Sequence, residues 1–271
     1  MSDKRVALVT GASAGIGKAI VRRLLKDGWT VYGAARRVDK MADIEAEGAK
    51  TVRLDVTDEA SLQEGVKALL DAEGRIDVVV NNAGYGSYGA LEEVPIDEAK
   101  RQFDVNVFGV IRLTQLVLPT MREQRSGTIV NITSMGGRIW MPIGGWYHAT
   151  KHALEVLSDT LRVEVAPFGV KVVVVQPGAI QSEWSEIAAD NLDKTAAGSK
   201  YGELIGPMSN TLRNYDSAAP PEVVADAVAS AVGTSSPYRR YAVPFQSRAF
   251  IFLHRWMPDW LWERVIVRAL A

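Results

Sequence analysis

The sequence predicts an α/β fold, in which helices cover both faces of a doubly wound parallel sheet to give three layers, α/β/α. Short apolar, β-branched runs alternate with segments of helical periodicity, which is typical of strands and their crossover helices. The run Val172-Val-Val-Val175 shows no polar alternation, as expected for a strand covered on both faces. The chain has 271 residues, 47% of them hydrophobic, so we expect one domain with one large core over residues 1–271.

Seven strands with intervening turns and helices account for this pattern. Between the sixth and the seventh of them, residues 181–216 contain glycine and serine and show only weak periodicity. Long surface segments of this kind often carry substrate recognition, so we expect a mobile lid or substrate loop there. The strands are expected near residues 5–10, 30–35, 50–54, 76–81, 126–133, 170–176 and 239–243.

Charge and composition exclude several classes of partner. Lysine and arginine number 31 against 32 aspartates and glutamates, so no bulk field attracts nucleic acid or an anionic membrane. The sequence contains no cysteine, which excludes disulfides and thiolate metal sites and fits a reducing, cytoplasmic setting. We expect neither a signal peptide nor a membrane span, because no apolar run is long enough.

The segment 249–271 is aromatic and amphipathic, and two interpretations of it stay open. A terminal helix docked on its own domain or on a sister subunit is the plainer one. A peripheral membrane contact is the alternative, since tryptophan and arginine together suit a lipid interface.

A glycine-rich turn links the first expected strand to the first expected helix. It reads Thr10-Gly11-Ala12-Ser13-Ala14-Gly15-Ile16-Gly17. Glycines at these positions allow a tight turn and let bare backbone approach a pyrophosphate at the positive end of a helix. Its place at the start of the first βαβ unit predicts a dinucleotide site in a Rossmann fold.

Arg36 and Arg37 follow the second expected strand, about 20 residues past the glycines. An acidic residue at this place would bind the ribose 2′-hydroxyl of NAD, whereas arginine accommodates the 2′-phosphate of NADP. The arginine pair therefore favours NADP(H), the alternative being an ordinary solvated pair at a strand end.

Taken in order, these motifs resemble the short, single-domain branch of the short-chain dehydrogenase/reductase family. The glycine turn matches TGxxxGxG, Leu54-Asp55-Val56 resembles the adenine-binding segment, and Asn81-Asn82-Ala83-Gly84 matches the NNAG turn. The resemblance continues through Asn106, Ser134, the Tyr147-His-Ala-Thr-Lys151 stretch and Pro177-Gly178, and the sub-pattern is most similar to members grouped with 17β-hydroxysteroid and retinol dehydrogenases.

The resemblance implies an NADP(H) site and a catalytic set of Asn106, Ser134, Tyr147 and Lys151. Two positions depart from the common pattern: Ser182 replaces a usual threonine, and Ala14 replaces a usual basic residue. Ser182 keeps the hydroxyl that would contact the nicotinamide, and the arginine pair is left to hold the phosphate. The implied cofactor-binding residues are Gly11, Ser13, Gly15, Ile16, Gly17, Arg36, Arg37, Asp55, Val56, Asn82, Ala83, Gly84, Tyr147, Lys151, Pro177, Gly178, Ile180 and Ser182.

Tyr147 is the expected acid/base of a carbonyl reduction. Tyr147 and Lys151 stand four residues apart on an expected helix and so share one face. A free tyrosine has a pKa of about 10, and a neighbouring ammonium lowers it toward neutrality. The family further implies that Lys151 binds the nicotinamide ribose, that Ser134 holds the substrate oxygen, and that Asn106 anchors a water in a proton relay.

His148 and His152 flank the same helical turn. We expect structural or surface roles for them and no metal site, because no third ligand is suitably spaced.

Bulky side chains surround the expected reaction centre and predict a large apolar substrate, such as a steroid-, retinoid- or aryl-like ketone or alcohol. Ordinary core packing is the alternative interpretation. The proposed pocket residues are Met135, Trp140, Trp146 and Trp184, with Met141, Tyr85, Tyr88 and Ile180 nearby.

The expected function is NADPH-dependent interconversion of a carbonyl and an alcohol. An NADPH-binding sensor with little turnover is the alternative from another class, and an extended-type relative acting on nucleotide sugars is disfavoured by the glycine spacing. The family also implies a homodimer or homotetramer built on helices around 97–124 and 147–167. Its apolar contacts are expected from Leu113, Leu116, Val117 and Leu118.

Overall fold

The computed structural model describes residues 5–196, 198–213 and 218–269. Seven strands form one parallel sheet in the order β3-β2-β1-β4-β5-β6-β7. The predicted strands are confirmed, each within two residues of its expected bounds. They are β1 (Val6–Thr10), β2 (Thr30–Ala35), β3 (Lys50–Arg53), β4 (Val78–Asn81), β5 (Gly127–Ile132), β6 (Val170–Pro177) and β7 (Arg240–Val243).

The strand order reverses at β1, which pairs with β2 on one side and β4 on the other. In a doubly wound sheet, a crevice opens at the carboxyl ends of the strands where the order reverses, and ligands bind there. The glycine turn after β1 and the NNAG turn after β4 therefore meet at this crevice.

Helices cover both faces of the sheet, which confirms the three-layer prediction. One core layer joins the sheet to α1 and α9 through side chains such as Ile20 and Val228, and the other joins it to α3 and α5 through Leu62 and Leu113. The helices are α1 (Gly15–Lys26), α2 (Ala42–Ala46), α3 (Glu59–Glu73), α4 (Ile96–Phe103), α5 (Gly109–Glu123), α6 (Gly145–Val165), α7 (Glu183–Ala196), α8 (Gly202–Arg213), α9 (Glu222–Val232), α10 (Phe245–Trp256) and α11 (Asp259–Ala269).

The segment 181–216 is helical in its described part, so the expectation of a loop there was wrong. It forms α7 and α8, while residues 197 and 214–216 lie outside the described residues. The buried face of α7 is built largely from small residues, including Ser185, Ala188 and Ala189, which gives the pattern little hydrophobic contrast. That composition explains why its helical periodicity looked weak.

The expected subunit contacts on α5 also need correction. Leu113 and Val117 are completely buried against the sheet of their own chain, and Leu116 and Leu118 are partly buried in the same core. The buried positions on α5 recur at helical spacing and face inward, so this stripe is core and is not available to a sister subunit.

The chain ends in two helices, α10 and α11, that contact the rest of the domain through few side chains. Trp262 and Ile266 of α11 are buried, whereas α10 buries only Ser247. Among the described residues, no helix combines the length and the apolar character needed to cross a membrane.

Candidate active site

The glycine turn is shaped to accept an anionic group at the start of α1. Gly11 and Gly15 have positive φ angles of 66° and 49°, which favour glycine. Ala14 occupies the N-cap without a side-chain hydrogen bond, and no acidic residue lies in the first turn of the helix. The first backbone N–H groups of α1 are thus left for a ligand, and the helix dipole adds positive potential there.

Gly17 has a different role from the other two glycines of the motif. A Cβ atom at this position would clash with the carbonyl oxygen of Gly11 and with the Asn82 side chain. Gly17 is buried and is not among the residues that line the adjacent cavity. It therefore permits close packing of the turn on the helix, and its contribution to ligand binding is indirect.

A cavity of about 850 Å³ runs along the carboxyl ends of the strands. It begins at Arg36, Arg37 and Asp55, passes the glycine and NNAG turns, and ends among aromatic side chains near α11. Apart from Gly17 and Asn106, every expected cofactor-binding and catalytic residue lines it. These residues are Gly11, Ser13, Gly15, Ile16, Arg36, Arg37, Asp55, Val56, Asn82, Ala83, Gly84, Ser134, Tyr147, Lys151, Pro177, Gly178, Ile180 and Ser182.

Arg37 reaches across the mouth of this cavity. Its Nη2 lies 3.4 Å from Ser13 Oγ and 3.3 Å from the carboxylate of Glu183 at the start of α7. Lys40 Nζ lies 3.8 Å from the same carboxylate. Arg36 is also exposed here, so two guanidinium groups are accessible to an anion at this end.

Tyr147 and Lys151 lie on the buried face of α6, where the Lys151 ammonium is 5.9 Å from the centre of the Tyr147 ring. Lys151 Nζ donates a 3.1 Å hydrogen bond to the Ile132 carbonyl at the end of β5. Burial lowers the pKa of Lys151 to about 8, against the opposing effect of the Glu155 carboxylate. The group can therefore release and regain a proton close to neutral pH.

Ser134 follows β5 and caps a short 3₁₀ turn, Met135–Gly137. Its Oγ accepts a 3.0 Å hydrogen bond from the Gly136 amide and lies 3.5 Å from the Pro177 carbonyl. The serine side chain is thereby oriented at the cavity wall by the backbone on both sides.

Asn106 lies in a π-helical turn, Asp104–Phe108, between α4 and α5. Its Oδ1 accepts from the Tyr85 amide at 3.0 Å, and its Nδ2 donates to the Tyr85 carbonyl and to Thr150 Oγ1. A Cβ atom at Gly84 would lie 3.0 Å from Asn106 Oδ1 and 3.5 Å from Lys151 Nζ. The missing side chain at Gly84 keeps the space between these two polar groups open.

The buried Glu155 anchors α6 to three strand ends, and sequence reasoning missed it. Its carboxylate accepts from Thr133 Oγ1 at 2.7 Å, Gln176 Nε2 at 2.9 Å and Arg240 Nε at 2.9 Å. Glu155 stands one turn beyond Lys151, so these bonds hold the helix that carries the tyrosine and lysine against the sheet. Its spacing of four residues from Lys151 was the signal in the sequence that could have identified Glu155.

The far end of the cavity is aromatic. The Tyr147 ring lies 5.7 Å from the Tyr88 ring and 5.2 Å from the Trp184 ring, and Trp262 and Ile266 of α11 add apolar wall. Of the expected pocket residues, Met135 and Trp184 line the cavity, as do Met141, Tyr85, Tyr88 and Ile180.

Trp140 and Trp146 do not line the cavity, which corrects the expected pocket. Trp140 is 39% exposed, and its backbone carbonyl accepts a hydrogen bond from Trp262 Nε1. Trp140 lies in the loop before α6 and Trp146 in the first turn of that helix. Trp262, more than 100 positions along the chain, lines the cavity in their place. Sequence position alone gives no indication that a distant tryptophan lines this part of the cavity.

A sequence profile described as short chain dehydrogenase matches residues 5–192 of the chain. The chain belongs to the short-chain dehydrogenase/reductase family. A short-chain dehydrogenase from Streptomyces avermitilis is 36% identical, with a TM-score of 0.83 over 98% of both chains. The 3-ketodihydrosphingosine reductase of Bacteroides thetaiotaomicron is 33% identical over 94% of both chains, and the NADPH-dependent 3-dehydrocapnine reductase of Ornithobacterium rhinotracheale is 31% identical over 98% of this chain and 97% of its own.

Nicotinamide cofactors are bound in solved structures of this fold. A serine dehydrogenase complexed with NADP⁺ is 27% identical with a TM-score of 0.78, and a Burkholderia phymatum member complexed with NAD is 26% identical with a TM-score of 0.82. The chain is therefore an oxidoreductase of a family that uses NAD or NADP. The uncapped start of α1 and the open space at Gly84 fit such a cofactor.

His148 is buried, and its Nδ1 lies 2.8 Å from the Gly136 carbonyl. Because a carbonyl only accepts, Nδ1 carries the proton, and burial lowers the pKa of the ring. His152 Nδ1 bonds the His148 carbonyl on the same helix. No group of three or more potential metal ligands lies together within the described ranges.

Proposed function

We propose that this short-chain dehydrogenase/reductase reduces a bulky apolar ketone or aldehyde to an alcohol with NADPH. The observation that carries the proposal is the position of Tyr147, which lies between the buried Lys151 ammonium and the aromatic end of the cavity. When bound, NADPH would supply the hydride for the carbonyl carbon.

The chain's own residues would supply the proton and orient the substrate. Tyr147 donates its hydroxyl proton to the carbonyl oxygen, and Ser134 donates a hydrogen bond to the same oxygen as negative charge develops. Lys151 stabilises the resulting phenolate and passes a proton back to it. Asn106, through the space at Gly84, holds the water that connects this site to solvent.

Arg36 and Arg37 are proposed to bind the 2′-phosphate and so to favour NADPH over NADH. The support is their exposure at the cavity mouth and the weak 3.3 Å contact of Arg37 with Glu183, which a dianionic phosphate can replace. Changing both arginines to alanine is expected to raise the KM for NADPH roughly 10- to 100-fold, the effect of losing charge-assisted hydrogen bonds, and to spare the KM for NADH. Equal losses with both cofactors would contradict this assignment.

The substrate class is proposed from the wall of the cavity and from the two reductases named above. Their names refer to 3-ketodihydrosphingosine and 3-dehydrocapnine. The apolar end of the cavity in this chain extends from Tyr147 to Phe250, Trp262 and Ile266. We propose that long-chain ketones belong with steroid-, retinoid- and aryl-like ketones as candidates. The helices α7 and α8 are proposed to form the lid over this end.

The test is NADPH oxidation by the purified protein with a panel of long-chain, cyclic and aryl ketones. Tyr147→Phe is expected to lower kcat at least about 100-fold while leaving NADPH binding unchanged. Tyr238→Phe, which alters a 78% exposed tyrosine, is the matched control. Tight NADPH binding with no turnover across the panel would instead favour a sensor of the NADPH state.

We also propose a homodimer or homotetramer built on the expected helices, with contacts from side chains other than Leu113, Leu116, Val117 and Leu118. The outer face of α6 exposes Val156 and Val163, at 66% and 73%, and Phe108 before α5 is 60% exposed. Closed symmetric oligomers bury apolar patches of this kind. Light scattering should give a mass above 29.5 kDa, and Val156→Glu with Val163→Glu should lower it.

A further inference from the structure

The outer surface of α10 and α11 is apolar on the side that faces away from the protein. Phe245, Phe252 and Trp256 are 76%, 67% and 71% exposed, and their spacing of seven and four residues places them on one face of α10. Ser247, the buried residue of this helix, lies on the opposite face and bonds the Val243 carbonyl. The aromatic stripe of α10 is thus directed outward by the way the helix is anchored.

The helix α11 repeats this arrangement. Trp262 and Ile266 face the protein interior, while Trp260 and Val267 are 58% and 51% exposed on the other side. The Arg264 guanidinium stacks over the Trp260 ring at 5.3 Å. Each of the two consecutive helices therefore presents exposed aromatic side chains together with arginines.

Charge identifies the occupant of this surface. Residues 245–269 contain four arginines against two carboxylates, in a chain whose net charge is −1. Arg248 and Arg255 lie seven residues apart, along one flank of the aromatic stripe on α10. A second copy of the chain docked symmetrically would oppose this basic surface to itself, because a two-fold interface pairs the same patch on both subunits. An anionic lipid surface complements both its aromatic and its basic groups.

We propose that α10 and α11 dock the protein peripherally on anionic lipid bilayers, with the aromatic rings at the headgroup boundary and the arginines on lipid phosphates. The same two helices contribute Phe250, Trp262 and Ile266 to the wall of the cavity. Docking through their outer surface therefore brings the apolar end of the cavity next to the bilayer. An apolar compound dissolved in lipid then has a short path to the site.

The test is flotation of the full chain with vesicles of phosphatidylcholine containing phosphatidylglycerol, and with vesicles of phosphatidylcholine alone. Binding is expected to the anionic vesicles, weaker to the neutral ones, and reduced by salt. Phe252→Glu with Trp256→Glu should lower the partition coefficient at least roughly tenfold. Arg248→Gln with Arg255→Gln should lower it roughly fivefold for each arginine on anionic vesicles only.

Ile96→Glu is the matched control, because Ile96 is 58% exposed at the start of α4. It should bind vesicles like the unchanged protein, and circular dichroism should show all variants folded. The proposal is overturned if the unchanged protein does not float with anionic vesicles or if the aromatic double variant floats equally well. It is also overturned if that variant dissociates an oligomer while vesicle binding is absent, since a second copy then covers the surface. The readout is binding, so it is independent of any reductase activity.

Discussion

Replacing Lys151 by methionine is expected to stabilise the protein while destroying its activity. Burial lowers the pKa of this lysine from 10.5 to about 8, so folding the charged form is costly. At about 1.4 kcal/mol for each pKa unit, the cost is about 3 kcal/mol at neutral pH. Loss of the hydrogen bond to the Ile132 carbonyl offsets about 1 kcal/mol of this. Lys151→Met should therefore raise the free energy of unfolding by about 2 kcal/mol at pH 7.

The stability difference between Lys151→Met and the unchanged protein should depend on pH, and this dependence tests the prediction. Below pH 8 Lys151 is protonated in both the folded and the unfolded chain, and the full cost is present. Between pH 8 and 10.5 the unfolded chain binds the extra proton, so the stability of the unchanged protein rises with pH. The advantage of Lys151→Met should consequently shrink with rising pH and vanish about 1.5 pH units above pH 8. At the upper end of the interval the variant should be about 1 kcal/mol less stable than the unchanged protein, because the hydrogen bond to the Ile132 carbonyl is still lost.

Urea denaturation of the cofactor-free protein, followed by circular dichroism at several pH values, measures this difference. Lys67→Met changes an exposed lysine on α3 and should leave stability nearly unchanged at every pH. A Lys151→Met variant that is less stable than the unchanged protein at pH 7, or whose advantage does not depend on pH, would refute the reasoning.

Two further predictions concern packing and buried charge. Gly17→Ala should lower the unfolding free energy by about 1–3 kcal/mol in urea denaturation, because the added Cβ atom would meet backbone. Gly206→Ala, in open space on α8, is the control and should raise it by about 0.5–1 kcal/mol. Arg240→Met should lower the unfolding free energy by about 3 kcal/mol in urea denaturation, because it removes the guanidinium that pairs with the buried Glu155 carboxylate. Arg239→Met, at the exposed neighbouring residue, serves as the control. Equal effects at both arginines would exclude a role for the buried pair.

Much of the fold was predictable because its signals are local. An apolar β-branched run marks a strand whatever surrounds it, and all seven strands were found this way. The segment 181–216 was misjudged because serine and alanine form the buried face of α7, and small residues leave little hydrophobic contrast in the pattern. Helical spacing shows which residues share a face, but not whether that face meets the core or another subunit. For this reason Leu113, Leu116, Val117 and Leu118 were wrongly assigned to a subunit interface.

In the candidate site, too, some features follow from local sequence and others from contacts between distant segments. The sequence by itself determined the glycine turn, the arginine pair and the order of the asparagine, serine, tyrosine and lysine motifs, because each depends on residue type at short spacing. Only the tertiary structure decided that Trp262 and not Trp140 lines the cavity, that Glu155 ties α6 to three strands, and that Lys151 is buried enough to have a pKa of about 8. These properties depend on which distant segments meet and on how much water they exclude, and local sequence carries no record of either.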